Sequence, residues 1–507
     1  MRRLADPSRD LGQLIGDFGG TLPTAAAPTP RQTDTGLFTK RGTRRGAAAN
    51  GRGWSPVLAP LVPYIASTAE VGGVFPFVTA HGLPPTGVPV GADMLSGGCF
   101  YCDPIGWVTS APKIATNPNL LIMGAPGRGK STLIKAIITR SMRFGVRTLV
   151  SGDIKDEYAP LCRALGVEPI EFGVGLTARL NPLDLGPLGA GWSSLSDDER
   201  QGRSTSIFQR WLVLLKALVG VRLPSVDASD ETALANALRD VTGWGSTSAG
   251  MRVVTIPQVW RALQEPSDDL VGACRYATRQ DMIDGTRAVT DALGAMVTGS
   301  LAGLFDDHTT IALDWDAPIQ SLSLRRLLSF GDESIGAALA CLNSWSRAQT
   351  DLRRGGAVTI VVRDEVWRQM RLGLGAVQSL DADLRLSRDA GKVELLAAHK
   401  PSDLKSVGNA GSQAVEIAKD LMTLCDTKVA FGMDPAIVSG DLTDMLGLNE
   451  VEAGWVTGWA RQREGRALWR VGDRSFKVQT YRLDHIEAPL FDTDGALRSS
   501  DPAGAAS

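Results

Sequence analysis

The sequence predicts an α/β fold: a mostly parallel sheet covered by helices on both faces, an inserted helical subdomain, and a small β-rich lead-in. Three observations carry that prediction. Strand-like runs alternate with stretches of helical spacing, at Leu120 to Met123, Val146 to Val150 and Glu168 to Phe172, and again at Ala357 to Val362, Val393 to Ala398 and Lys428 to Phe431. Buried parallel strands are short and mostly apolar, and each connection needs room for a helix. Between 193 and 305 the apolar period becomes helical, through Ile207, Trp211, Leu214, Leu215 and Leu218, then Leu234, Leu238 and Val241, then Val259, Leu263 and Leu270. Before residue 112, Gly and Pro are too dense for long helices.

In order, residues 1–55 are rich in Ala, Gly, Pro, Thr and Arg and are expected to be a flexible arm. Lys40, Arg41, Arg44, Arg45 and Arg52 make it basic, which suits a solvated tail as well as contact with nucleic acid or anionic lipid. The lead-in, 56–112, offers strands at Val71 to Val78, Gly87 to Val90 and Gly106 to Thr109. The first part of the core follows over 113–192 and closes on the loop Asn181-Pro182-Leu183-Asp184. The helical insert spans 193–305, with apolar stripes expected to form its own core. The second part, 306–490, contributes short strands at Thr310 to Leu313 and Ile319 to Leu322, a helix from about Glu333 to Arg353, the three strands named above, and a hairpin. The hairpin pairs Ala467 to Val471 with Phe476 to Gln479 across Gly472-Asp473. Residues 491–507 are expected to be a disordered tail.

Composition narrows the function classes. With 53 Lys+Arg against 55 Asp+Glu in 507 residues, net charge does not advertise a nucleic-acid binder. Six cysteines in such a chain are no disulfide framework. Cys99 and Cys102 form one C-x-x-C, but with His81 alone nearby the pair is better taken as two small residues flanking a strand than as a zinc site. The polar start carries no signal peptide and no run reaches about 18 apolar residues, so a reducing, cytoplasmic setting is expected, with any membrane contact peripheral at the inner face.

The chemistry is concentrated in three places. Gly124-Ala125-Pro126-Gly127-Arg128-Gly129-Lys130-Ser131-Thr132 fills every fixed place of G-x-x-x-x-G-K-[ST] between a strand and a helix. Such glycines aim backbone N–H groups inward as an anion nest, Lys130 reaches β- and γ-phosphates, and the Ser131 hydroxyl can ligate Mg²⁺. The expected ligands are therefore ATP and Mg²⁺. The strand Val358 to Val362 runs into Arg363-Asp364-Glu365, two acids suited to holding the Mg²⁺ shell (Asp364) and to orienting or deprotonating water (Glu365). Arg363 stands where an apolar residue is expected, and is read as pairing with Asp153 or Asp364 or as pointing out of the sheet's end. His399, one of four histidines, follows Val393 to Ala398 and is placed to sense a γ-phosphate. Arg385 and Arg388, before that strand, suit either a helix C-terminus or an arginine finger reaching a neighbouring subunit.

In order, the phosphate loop, Gly152-Asp153-Ile154-Lys155-Asp156-Glu157-Tyr158, Asn181-Pro182-Leu183-Asp184, Val362-Arg363-Asp364-Glu365-Val366-Trp367-Arg368 and His399-Lys400-Pro401-Ser402-Asp403-Leu404 resemble the large cytoplasmic ATPase of conjugative type IV secretion systems. The compact form, from integrative conjugative elements of GC-rich Gram-positive bacteria, is the nearer likeness. There Gly87-Val88-Pro89-Val90-Gly91 and Cys102-Asp103-Pro104-Ile105-Gly106-Trp107 also find counterparts, so the resemblance covers roughly residues 85 to 485. It implies a RecA-like P-loop motor, a homo-hexamer with sites at subunit interfaces, type IV secretion apparatus proteins at the membrane as partners, and Arg388 as the finger. DNA is an open partner. Departures are Arg363, where the family has an aliphatic residue, His399, where larger relatives have Gln, and the missing long N-terminal domain of those relatives.

Overall fold

The computed structural model describes residues 82–492, except 174, 190, 224–225, 245–251, 313, 315–316, 351–357, 372–373, 401–412 and 484. Its strands are β1 (Val88–Asp93), β2 (Cys99–Cys102), β3 (Leu120–Met123), β4 (Arg147–Asp153), β5 (Ile170–Glu171), β6 (Ile319–Ser323), β7 (Thr359–Arg363), β8 (Lys392–Ala398), β9 (Thr427–Phe431), β10 (Arg466–Val471) and β11 (Arg474–Thr480). They form one sheet in the order β2-β1-β11-β10-β9-β3-β8-β7-β4-β6-β5. From β9 to β5 every neighbouring pair is parallel, and from β9 to β2 every pair is antiparallel. The lead-in strands are thus an edge of the main sheet, reached through the C-terminal hairpin, with Gly91 opposite Thr480. A Cβ on Gly91 would lie 2.0 Å from the Gln479 carbonyl oxygen, so only glycine permits that approach.

The helices up to residue 423 are α1 (Pro104–Thr109), α2 (Lys130–Ser141), α3 (Ala159–Ala164), α4 (Asp197–Gly220), α5 (Ala228–Thr242), α6 (Ile256–Gln264), α7 (Asp268–Ala273), α8 (Arg279–Gly285), α9 (Arg287–Thr298), α10 (Gly331–Thr350), α11 (Val366–Met370), α12 (Leu374–Leu386) and α13 (Gln413–Thr423), and short helical turns follow between β9 and β10 and after β11. Helices α4 to α9 intervene between β5 and β6, and capping boxes start several of them, Ser196 with Glu199 on α4 and Asp227 with Asp230 on α5. Their apolar stripes do not close on themselves. Trp211, Leu215, Leu218, Leu234, Leu238, Val259 and Leu263 are continuous with Leu149 of β4, Leu322 of β6 and Leu339 and Trp345 of α10 in one core. A second core joins Leu121, Met123, Leu396, Ala430 and Leu468 of the sheet to Val377, Leu380 and Leu384 of α12 and Leu421 of α13. Strand side chains alternate, so Leu120 and Ile122, also buried, face the other way, and helices cover both faces of the parallel half.

Several expectations change. Gly106 to Thr109 is not a strand but part of α1, because the Asp103 carboxylate accepts from the Gly106 N–H (2.9 Å) and Pro104 opens the turn, burying Trp107. Residues 310–312 form no strand, since Thr310 spends its bonds on the 177–179 loop. Of Glu168 to Phe172 only two residues pair as strand. Phe491, first residue of the expected tail, is buried in a short helix, Glu487–Phe491, which Arg140 of α2 grips through a two-point ion pair with Glu487 (2.7 and 2.9 Å). The basic arm, Val71 to Val78, Pro401 to Leu404 and residues 493–507 lie outside the described residues. Among the described residues no helix is long and apolar enough to cross a membrane.

Candidate active site

The phosphate loop leaves β3, whose four residues are all buried, and turns into α2. Gly124 is required by space, since a Cβ there would come within 2.5 Å of Phe431 Cβ. Gly127 (φ 70°) and Gly129 (φ 102°) are required by backbone angle and turn successive amides into the loop. The outer rim is pinned where the Arg128 guanidinium donates to the Arg461 carbonyl (3.0 Å) and the Gly465 N–H donates to the Arg128 carbonyl (3.1 Å). Ser131 and Thr132 follow in the first turn of α2. Lys130 is buried and curls back over the loop, its Nζ donating to the carbonyls of Gly124 (2.7 Å) and Ala125 (3.2 Å) and lying 3.4 Å from His399 Nδ1. Burial lowers its pKa, against the pull of Asp364 and Glu365.

Two strands away, β7 ends at Asp364 and Glu365, with β8 and its His399 between β7 and β3. Parallel strands deliver their C-terminal ends to one edge, so the topology alone brings the three segments together. Glu365 has φ 53°, a left-handed conformation unusual for a side-chain-bearing residue, and is only 5% exposed. Its Oε1 accepts from Lys155 Nζ (2.7 Å) and His399 Nε2 (3.0 Å), and its Oε2 from Trp367 Nε1 (2.6 Å). His399 thus bridges the loop lysine and Glu365, one ring nitrogen facing each. Burial acts to raise the Glu365 carboxyl, but the His399 and Lys155 hydrogen bonds prevail and hold it far below the usual carboxylate range. Asp364 behaves oppositely. Burial, then the carboxylates of Glu157, Glu365 and Asp153, push it up to about 7.

Lys155 comes from the turn after β4, which sequence reading quoted as part of a motif without giving it a role. That turn is built by Asp153, whose carboxylate accepts from the N–H groups of Glu157 (3.0 Å) and Tyr158 (2.9 Å). Trp367, at the start of α11, was likewise unassigned. A β4 strand ending in acids one position beyond β7 in the sheet was the available signal, but its register against β7 is set only by pairing.

Lys130, Asp364, Glu365 and His399 are thus gathered at one edge. Arg388 is not, because it precedes β8 and lies at the opposite end of that strand, about 20 Å away at about 3.3 Å per residue. It is exposed, and among the described residues its guanidinium has no hydrogen-bond or ion-pair partner, whereas Arg385 is tied to Asp381 one turn back (2.7 Å). Arg363 pairs with neither Asp153 nor Asp364 and does not leave the sheet. It is buried, with Nε on Glu394 (2.8 Å) and NH2 on Asp383 (2.8 Å), because strand alternation turns it away from its acidic neighbours toward α12.

The residues fit a magnesium nucleotide. The glycines at 127 and 129 turn the loop amides inward beside Lys130, and the raised Asp364, crowded by three carboxylates, is a place where a divalent cation relieves repulsion.

Neither a family model nor a curated protein matches the sequence. The fold is similar to that of VirB4 of Thermoanaerobacter pseudethanolicus, at 17% identity and a TM-score of 0.63 over 80% of this chain and 100% of that one. The plasmid coupling protein TrwB in complex with ADP and Mg²⁺ also aligns, at 14% identity and a TM-score of 0.49 over 82% of this chain and 93% of that one. The likeness to VirB4 supports the fold.

Proposed function

We propose that this chain is an ATP-hydrolysing motor of a type IV secretion or conjugative transfer system, coupling Mg-ATP hydrolysis to apparatus assembly or substrate transfer. The observation that carries the reading is the meeting of Lys130, His399 and Asp364–Glu365 at the ends of three adjacent parallel strands, β3, β8 and β7. The resemblance in motif order and the VirB4-like fold support it.

In this reading the loop amides and Lys130 would bind the phosphates, and Ser131 and Asp364 would hold Mg²⁺, which would supply charge stabilisation for phosphoryl transfer. Glu365 orients the attacking water. Its carboxyl is held so low that it is a weak base, and positioning is the larger part of its contribution. His399 reports the phosphate end of the site to Glu365. Arg388 serves as a finger in trans within a homo-hexamer, a role its exposure and its distance from its own phosphate loop favour. The motor works on the cytoplasmic side, docked to membrane partners of the apparatus.

The test is steady-state ATP hydrolysis by the purified chain and its Lys130→Ala variant, with and without single- or double-stranded DNA, alongside its mass in solution. DNA-independent hydrolysis lost in Lys130→Ala supports the secretion motor. Strong DNA stimulation of a hexamer moves the assignment to a DNA translocase. No hydrolysis, even with the partner proteins added, leaves a nucleotide-binding scaffold.

A further inference from the structure

Three side chains outside the expected site converge on its central carboxylate or on the turn that serves it. Lys155 Nζ donates to Glu365 Oε1 (2.7 Å), and Trp367 Nε1 donates to Oε2 (2.6 Å). The third, Asp156, shapes the turn that carries Lys155. It has φ 56°, a left-handed conformation anchored by a hydrogen bond from the Ser323 hydroxyl and by Arg325 NH1 at 3.6 Å from its carboxylate. Trp367 is equally fixed. The guanidinium carbons of Arg368 and Arg371 lie 4.8 and 4.3 Å from its ring centroid, and Asp332 at the start of α10 pairs with both arginines. Glu365 itself holds a left-handed backbone (φ 53°), which persists only where surrounding groups over-determine it.

We infer that Lys155 and Trp367 are positioning residues that clamp Glu365 from opposite sides and leave one direction of its carboxylate free for the attacking water. A carboxylate offers about four lone-pair directions. His399 and Lys155 take both on Oε1 and Trp367 takes one on Oε2, so the remaining one on Oε2 has a fixed aim. Without Lys155 the Glu365 side chain loses the ammonium that holds Oε1 and swings within its left-handed turn. Binding of nucleotide, which belongs to the loop and Lys130, is untouched. The inference rests on the proposed hydrolytic role of Glu365.

The test compares Lys155→Met, Lys155→Arg, Trp367→Phe, Glu365→Gln and Lys155→Met/Glu365→Gln in the full chain, reading kcat and KM for Mg-ATP and the affinity for a fluorescent ATP analogue. Lys155→Met is expected to lower kcat about 10- to 100-fold with KM and analogue affinity within about twofold, and Lys155→Arg to restore most of it. Trp367→Phe keeps an aromatic ring beside the two arginines, loses the N–H donor, and is expected to lower kcat several-fold. The double variant is expected to be no slower than Glu365→Gln alone, as for groups acting as one unit. Wild-type rates in Lys155→Met and Trp367→Phe beside an inactive Glu365→Gln overturn the clamp and leave the motor reading standing. A wild-type rate in Glu365→Gln removes the role of Glu365 itself. Analogue affinity falling in step with kcat in Lys155→Met makes Lys155 a nucleotide ligand and also overturns the clamp.

Discussion

Arg363 and the Asp364–Glu365 pair are consecutive in the sequence, yet they belong to two charge clusters of different kinds. On one side of β7, Arg363 is paired with Glu394 of β8 and Asp383 of α12, and Arg347 of α10 reaches Asp383 at 3.0 Å. The side chains of Arg363, Asp383 and Glu394 are only 4%, 3% and 1% exposed, so their charges are matched and sealed. At the strand's tip, carboxylates crowd one another. Asp364 rises to about 7 beside Glu157, Glu365 and Asp153. The contrast teaches what buried charge means at each place. The sealed cluster holds strand to helix, and the crowded one stores repulsion beside an anion cradle, where a metal–phosphate complex can relieve it.

Breaking each cluster should therefore read out differently. The largest effect is expected at the tip, where Glu365→Gln lowers ATP hydrolysis about 10²- to 10³-fold while ATP binding stays close to wild type. A Glu365→Gln protein hydrolysing ATP at the wild-type rate would erase the contrast. Next, Arg363→Met leaves Glu394 and Asp383 buried without their shared cation, and is expected to cost about 3–5 kcal/mol in urea unfolding. Replacing Glu394 with Leu in the same chain should recover part of that loss, which a purely steric role for Arg363 would not allow.

A smaller effect concerns pH. Burial pushes Asp153 up to about 6 despite the two backbone N–H groups it accepts from. The folded chain then holds this proton more tightly than the unfolded one, so the Asp153 contribution to stability falls as pH rises between about 4 and 6, by of order 2 kcal/mol. Unfolding of wild type and Asp153→Asn across that range checks it, the variant having lost that slope. The smallest stability effect separates the two arginines before β8. Arg385→Ala removes one surface i,i+4 pair and should change stability by less than about 0.5 kcal/mol. Arg388→Ala should be as harmless to folding, but its subunits should poison mixed oligomers. Activity falling only in proportion to the mutant fraction rules out the finger in trans.

Much of the parallel core was legible because its signals are local. The apolar run of β3, the glycines at φ 70° and 102°, and the hairpin turned at Gly472-Asp473 depend on neighbouring residues alone. Apart from the one expected at 310–313, the strands of the second half fell within a residue or two of their places for the same reason. The segment Gly106 to Thr109 was misread because a single side chain, Asp103, outweighs the pattern by capping α1.

The sequence by itself determined the phosphate loop, the acidic tip of β7 and the strand–helix alternation that makes their strands parallel, since each follows from residue type and spacing. Only the tertiary structure decided that the lead-in closes the sheet's far edge, that the insert shares its core with β4 and β6, that Arg363 is buried with Glu394 and Asp383, and that Lys155 and Trp367 grip Glu365. These are meetings of residues up to hundreds of positions apart. Strand order and register create them, and no local pattern encodes either.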